Sequence, residues 1–526
     1  MEHASSHAPD ATPEPSSSGS PPREALGRRA LLSGIASALT AGAARAQSTG
    51  QATGVTGQVP SRPAIPRDDL YYLVHRSSFG FTPELYQDAV DRGYDGWLDR
   101  QVDPSSIPDT ALDSILAGFP TLDMSVAQLY AGYGPNGNLG TDTEAARELS
   151  YARIQRAVGS TRQLYERIVD FWADHLNVPQ LDQGLNLLRT VYDREVIREH
   201  ALGYFPDLLM ASAKSAAMLL YLDGGQNVAG APNENYAREV MELHTLGVDG
   251  GYNENDIYEL ARCLTGWTAY PVGSPQIGEF LFDPGRHDFG SKVVLGQTIP
   301  AGGGLSDGET MLNFLALHPT TAEFVSRKLA IFLLDYEPPQ ELVDAAKATF
   351  LSTGGHIKEV VRVILDRRWI SRIVPDGTPK LRRPMHFLCG VLRTPGVTIT
   401  SPDSILLALE ILGHRPFEWS APDGYPDDLS SWGSGVLPRW SFAFAIFGNQ
   451  FPGVTTDAAA IYNAMGAPGL SGLTEGLGKL IANGNLASTD LAAVESFVQS
   501  GAASTGEATL RNALGLLASC PSYQYL

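Results

Sequence analysis

Apolar side chains recur along this chain at helical rather than strand spacing. Leu164, Ile168, Phe171 and His175 fall at i, i+4, i+7 and i+11, which sets them on one face of a helix within residues 144–176. A second helical stretch runs from Leu187 to Leu202 and stops at Gly203. Pro206 suits a first helical turn, and the pattern continues through Leu208, Leu209 and Met218 to Leu222. Further helices are predicted over 233–247, 254–265, 308–334, 338–353, 356–367, 403–412 and 488–498. Residues 266–306 break the pattern. They hold many Gly and Pro and short β-prone runs such as Val293-Val294-Leu295, which predicts an irregular insertion containing a β-hairpin. No period of about 20 to 50 residues repeats, so a solenoid is disfavoured. The predicted fold class is mainly α: a single large helical domain over residues 66–526 with a small β-hairpin-containing insertion.

The first 46 residues follow another logic. Residues 1–27 are rich in Pro, Ser and Ala without an apolar period, so they read as disordered. Gly27-Arg28-Arg29-Ala30-Leu31-Leu32 then opens an Ala/Gly/Leu run ending in Ala44-Arg45-Ala46, a small-x-small cleavage pattern with Gln47 as the mature start. Paired arginines before a modest apolar run resemble a twin-arginine signal. That run is about 15 residues, short of the roughly 20 a spanning helix needs. Residues 1–46 therefore read as a signal peptide, and 47–65, dominated by Gly, Ser, Thr and Pro, as a flexible linker. The expectation is an exported protein, periplasmic or extracellular, with no transmembrane segment after signal removal.

Composition narrows the function classes. The 526 residues carry 38 Lys+Arg against 58 Asp+Glu, a net charge of −20. The signal segment holds four basic residues (Arg23, Arg28, Arg29, Arg45) and four acidic ones (Glu2, Asp10, Glu14, Glu24), so its removal leaves that charge unchanged. Such a balance argues against a nucleic-acid partner, which needs Lys and Arg to displace condensed counterions. A 43% hydrophobic content excludes global disorder. Three cysteines exclude a disulfide scaffold and a four-thiolate zinc site. Cys263 sits in an apolar helical run and Cys389 in the segment Phe387 to Leu392, both as small core side chains, and Cys520 lies near the C-terminus. An odd count leaves at least one thiol without an intramolecular partner.

The densest chemistry lies in Pro232-Asn233-Glu234-Asn235-Tyr236-Ala237-Arg238-Glu239-Val240-Met241-Glu242-Leu243-His244-Thr245-Leu246-Gly247. Asn233 suits an N-cap and Gly247 a stop. At about 100° per residue, Tyr236, Val240 and Leu243 form an apolar stripe, with Asn235, Glu239 and Glu242 almost opposite. Arg238 can pair with Glu234 and Glu242. His244 lies roughly 160° around a regular helix from Glu242, so the two cannot chelate one metal locally. Glu239 and Glu242, three apart, can converge as carboxylates do in helical-bundle metal sites.

Three other segments add candidate groups. Phe171-Trp172-Ala173-Asp174-His175-Leu176-Asn177 ends a helix with His175 on its apolar face. Tyr221-Leu222-Asp223-Gly224-Gly225-Gln226-Asn227 offers Asp223 and Asn227, residue types that also serve turns and caps. Arg286-His287-Asp288-Phe289-Gly290-Ser291-Lys292 gathers an imidazole, a carboxylate and an amine in one loop, where function concentrates, although Asp288 and Lys292 could equally staple a turn. Gly424-Tyr425-Pro426-Asp427 reads as a turn; Trp432, Arg439 and Trp440 either pack around it, the favoured reading, or line a sugar-binding cleft. No P-loop, dinucleotide fingerprint, Gly-x-Ser-x-Gly elbow, His-Glu-x-x-His or Cys-x-x-Cys-His occurs, which disfavours ATP, NAD, attached haem and an α/β-hydrolase triad.

The same segments carry a family resemblance. Leu73-Val74-His75-Arg76-Ser77-Ser78-Phe79-Gly80, Phe171 to Asn177, Asn233 to Gly247, Leu264-Thr265-Gly266-Trp267-Thr268 and His287 to Lys292 occur in matching order. Leu317-His318-Pro319, Gly424 to Asp427 and Cys520-Pro521-Ser522-Tyr523-Gln524 complete the series. The chain resembles the bacterial family catalogued as domain of unknown function 1800. That resemblance implies one fold over the mature chain and export, often by twin-arginine signals and often beside a second exported family. It supplies no catalytic residues. Ala173 and Leu176 depart from the family's usual aromatic or Asn and Phe, which implies local repacking.

Two functional expectations follow. In the first, the protein is an extracytoplasmic enzyme, a metal-dependent or acid/base hydrolase or oxidoreductase. Glu239, Glu242, His287 and Asp288 would be its catalytic groups, and His175, Glu239, Glu242 and His287 would hold a divalent transition metal. In the second, it is a non-catalytic envelope assembly or binding partner of another exported protein. Convergence of those side chains on one point would favour the first. Burial in separate salt bridges beside an extended apolar patch would favour the second.

Overall fold

Side-chain caps set several helix boundaries in the computed structural model, which describes residues 68–181, 183–375, 380–500 and 506–526. Thr141 and Glu144 form a capping box that opens α1 (Asp142–Gly159), and a short break leads into α2 (Gln163–His175). Leu164, Ile168, Phe171 and His175 are all buried, as their spacing predicts. Helix α3 (Gln183–Tyr192) passes without interruption into a π-helical segment, Asp193–Arg198. The stretch predicted as one helix to Leu222 is two, Phe205–Lys214 and Ala216–Tyr221, because the Ser215 hydroxyl caps the second by accepting from the Met218 amide.

The segment predicted as a regular helix over 233–247 also differs. The N-cap is Glu234 rather than Asn233, although the Asn233 side chain accepts from the Asn235 amide one residue inside, and Gly247 ends the segment at φ +84°. Only Asn235–Glu239 (α4) is α-helical, however, and Val240–His244 is π-helical. Asn253 and Asp256 then open α5 (Glu254–Cys263) with a second capping box.

The insertion holds two antiparallel hairpins, β1 (Trp267–Ala269) with β2 (Phe280–Phe282) and β3 (Lys292–Val294) with β4 (Gln297–Ile299). The pattern over 308–334 resolves into α6 (Leu305–Ala316) and α7 (Pro319–Leu333), parted where Pro319 lacks an amide proton and the His318 ring accepts from the Thr320 amide. Helix α8 (Pro384–Leu392) follows, and a third antiparallel pair, β5 (Val397–Ile399) with the distant β6 (Val454–Thr456), had no signal in the sequence pattern. Three two-stranded sheets are present among the described residues, so the fold is mainly α with a small hairpin insertion.

One continuous apolar cluster runs from Tyr71 to Phe417 and includes Trp97, Trp172, Phe205, Trp267 and Phe350. The chain's end closes back onto the segment before α8: Gln524 and Lys380 carbonyls accept from the Arg382 and Leu526 amides. That closure holds Lys380, Arg382 and Arg383 in place. No described helix is long and apolar enough to cross a membrane. All three cysteines are free thiols.

Candidate active site

Helix α2 carries an acidic stripe through the core. Glu166, Asp170 and Asp174 are four residues apart and share one face. Each finds guanidinium partners from elsewhere in the chain. Arg198 donates twice to Glu166, at 3.0 and 2.6 Å. Asp170 accepts from Arg153 on α1 and from Arg383 at 2.6 Å. The second arm of Arg383 reaches Asp174 Oδ2 at 2.5 Å. Burial alone would raise Asp170, but Arg383, Arg153 and Arg167 hold it well below the usual carboxylate range. Burial pushes Asp174 up to about 6, with the charge of Asp170 adding to the rise and Arg383 opposing it. Asp174 Oδ1 accepts no hydrogen bond from the described residues.

His175 closes the helix beside it. Its Nε2 donates to the His244 carbonyl at 3.1 Å, so the neutral ring keeps its lone pair on Nδ1, which has no partner. Burial, then the neighbouring Lys328, holds the imidazole well below its usual range.

Asp174 and His175 wall a cleft of about 250 Å³ with Phe171, Lys328, Phe332, Arg383 and the segment Asp423 to Asp427. Gly424 makes that closure possible. It stands at φ +72°, and a Cβ there would lie 2.2 Å from the Asp174 carbonyl oxygen. Asn177 ties the incoming strand of the loop, donating to the Trp419 and Ala421 carbonyls at 2.8 and 2.7 Å. Trp419 Nε1 donates to Asp423 at 2.8 Å, and Lys380 to Asp427 at 2.7 Å. Tyr425 donates to the Arg415 carbonyl and meets the His414 ring edge-on.

Lys328, on α7, differs from every other cation here. Its ammonium makes no hydrogen bond or ion pair with the described residues and lies 5.4 Å from the Phe324 ring centre. Burial pushes it down to about 8, against the pull of Asp174 and Asp423. The cleft therefore joins a raised carboxyl, a lowered amine and a neutral imidazole without letting them neutralise one another.

The sequence-predicted residues divide. His175 lines this cleft. Glu239 is half-buried within electrostatic reach of Asp423, and burial, then Glu242, raises its carboxyl. Glu242 turns to Arg238 at 3.4 Å, and Arg238 also grips Glu254 at 2.6 Å. His287 lies elsewhere: its Nδ1 meets the Thr265 carbonyl at 2.7 Å and its Nε2 faces Asp307 at 3.3 Å. Asp288 accepts from Arg262 at 2.8 Å, and Arg262 holds it below the usual carboxylate range, at about 2. Lys292 donates to Asp307 at 2.6 Å. Glu254 and Arg262 sit eight residues apart on α5, so the Glu242 and Asp288 clusters are about 12 Å apart at its two ends.

The four-residue metal set His175, Glu239, Glu242 and His287 is thus not brought together. Among the described residues no three His, Cys, Asp or Glu side chains stand where they could hold a metal ion. Two physical reasons stand out. The π-helical turn redirects Glu242 relative to Glu239, and the 287–292 loop spends its charges on α5 and α6.

Sequence reasoning missed Asp174, Lys328, Arg383, Asp423 and Asp427. Asp174 and Asp427 lie inside segments it had singled out, and the four-residue spacing of Glu166, Asp170 and Asp174 on an otherwise apolar helix was a usable signal. Lys328 and Arg383 carry none, one being a single amine on an amphipathic helix and the other a residue before proline. Of the three residues predicted to pack, Trp432 stacks on His414 and Arg439 is fully buried and donates to the Arg382 carbonyl, whereas Trp440 is exposed.

Comparison with known proteins adds one match. The family model described as "Protein of unknown function (DUF1800)" matches residues 72–525. No curated protein and no solved structure matches the chain.

Proposed function

The chain belongs to the DUF1800 family of proteins of unknown function, and from that footing we propose that it is an extracytoplasmic hydrolase working by general acid/base catalysis in the Asp174–Lys328 cleft. The observation that carries this reading is the cleft's geometry. An ammonium without a partner, a carboxylate with one oxygen unengaged and an imidazole with an orphan nitrogen line the same cavity.

Holding such groups apart and half-dry costs stability, and active sites are where that cost is met. Asp174 is a carboxylate above pH about 6 and can take a proton from an attacking water. Lys328 is an ammonium below about 8 and can give a proton to the leaving group. Arg383 fixes the carboxylate's direction. His175, neutral throughout, offers Nδ1 as a fixed acceptor. The twin-arginine-like segment, which lies outside the described residues, supports the extracytoplasmic placement.

The test is an activity screen of the mature protein on chromogenic esters, glycosides and peptides and on envelope polymers, run from pH 5 to 9. The rate should follow a bell with limbs near 6 and 8. Asp174→Asn and Lys328→Met should each lose about 100-fold or more while staying folded. Absence of turnover across the panel, or full activity in both variants, would overturn the proposal.

One observation favours the second reading, a non-catalytic envelope partner. Glu242 and Asp288 each sit in a separate ion pair, as an assembly surface would arrange them. Under that reading Arg238→Glu would abolish partner capture, whereas Lys328→Met would not.

A further inference from the structure

A second cleft, larger than the first at about 780 Å³, opens where α1, the N-terminal half of α2 and the π-helical segment meet the chain around Asp103 to Asp123. Its floor carries Arg156 on α1. The side chain is 14% exposed, and its nearest carboxylate oxygen, on Asp193, is 3.7 Å away, beyond hydrogen-bond distance. The guanidinium donates no hydrogen bond to any described residue, although it carries five N–H groups.

The neighbours explain why. Glu166 is occupied by the two-bond fork of Arg198, and Tyr165 gives its proton to the Arg198 carbonyl. Thr190, fully buried in the same wall, has a hydroxyl with no partner, and Asp193 Oδ1 has no hydrogen bond. Burial and the charge of Arg198 lower the Arg156 guanidinium only to about 10, so it remains a cation at neutral pH. A desolvated arginine with its donors unspent is a site for a planar or tetrahedral oxyanion.

Around the rim the charges are mixed. Asp113, Asp123 and Glu199 line it without an ion-pair partner among the described residues, alongside Arg162, Arg194 and Lys358. These carboxylates repel a ligand that is anionic throughout and accept hydrogen bonds from hydroxyl groups. A ligand that satisfies floor and rim together has one oxyanion on a hydroxylated body.

We propose that this cleft binds an acidic sugar, its oxyanion on Arg156 and Thr190 and its hydroxyls on the rim carboxylates. The oxyanion can be a uronate carboxylate or a sugar phosphate. This inference does not depend on the acid/base reading of the other cleft.

Calorimetric titration of the mature protein decides it, with glucuronate and glucose 6-phosphate as the two arms and glucose and inorganic phosphate as references. One acidic sugar should bind saturably and about tenfold or more tighter than either reference, and the arm that binds identifies the oxyanion. Arg156→Gln should weaken that binding at least about tenfold with melting behaviour retained. Should Arg156→Gln fail to fold, Thr190→Val must show the weakening. Absence of saturable heat in both arms would overturn the proposal. So would phosphate binding as tightly as either sugar, or wild-type affinity in a folded variant.

Discussion

Asp170 and Asp174 sit one helical turn apart, share Arg383 and are driven in opposite directions. Asp170 gains more from its guanidiniums than burial takes away, so its folded carboxyl lies below its unfolded value. That stability is present above the ordinary carboxylate range and is lost as pH falls through it. Asp174 is raised instead, so its ionisation costs stability from pH about 4 upward, a cost complete above about 6. Asp170→Asn should therefore destabilise by about 3–5 kcal/mol at pH 7, because it strands Arg153 and one arm of Arg383 in the core. Asp174→Asn should be neutral or stabilising at pH 7, and its advantage should vanish by pH 4. Urea unfolding of both variants across that range measures the contrast, and equal losses in the two would refute it. The sequence made His175 legible because a helix period places it. It did not separate Asp170 from Asp174, since that difference arises from Arg383, more than 200 residues away.

Element by element, apolar periodicity located the helices it named but gave no range for several others, Pro83–Gln101, Pro384–Leu392, Val436–Phe447, Leu473–Ala482 and Gly506–Ser519 among them, and it missed the joints. Ser215, the His318-Pro319 pair and the two π-helical segments all fall inside stretches whose hydrophobic period continues unbroken. A π turn shifts side-chain direction without altering residue spacing, so the face shared by Glu239 and Glu242 could not be read from their interval. Gly424 shows the reverse case, a turn residue whose importance becomes visible only against its neighbour. The loop can lie on the end of α2 only because no side chain intervenes there. Gly424→Ala must relieve contact with the Asp174 carbonyl and hold an L residue at φ +72°, a conformation costing about 1–2 kcal/mol by itself. The loop should lift, taking Asp423, Tyr425 and Asp427 from the cleft. Activity should fall at least about tenfold, while melting drops by only a few degrees in a chain of this size. Retained activity would show that this wall is dispensable.

At the scale of the whole molecule, export and acid sensitivity each have a test. If residues 1–46 act as the signal, the secreted form begins at Gln47, and Arg28→Lys with Arg29→Lys retains the protein in the cytoplasm; N-terminal sequencing and fractionation read both. Acid sensitivity follows from the buried imidazoles. His175, His386 and His414 are held well below the usual imidazole range by burial, and His244 is pushed down to about 3 by the same cause. Each is neutral in the folded chain and becomes charged on unfolding below about pH 6.5. The unfolded state then binds more protons, so stability falls as pH drops from 6.5, by up to about 1.4 kcal/mol per pH unit for each group. Asp174 offsets one proton's share between about 6 and 4, because there the folded state is the one that binds it. Above 6.5 these imidazoles contribute no slope. Unfolding midpoints at pH 7.5, 6 and 5 should therefore hold steady and then decline steeply. His386→Leu should flatten that decline by one proton's worth, since this ring's Nε2 has no partner to lose. A midpoint that stays level from pH 7.5 to 5 would mean that the unfolded chain does not gain these protons, and that burial does not hold the four rings neutral.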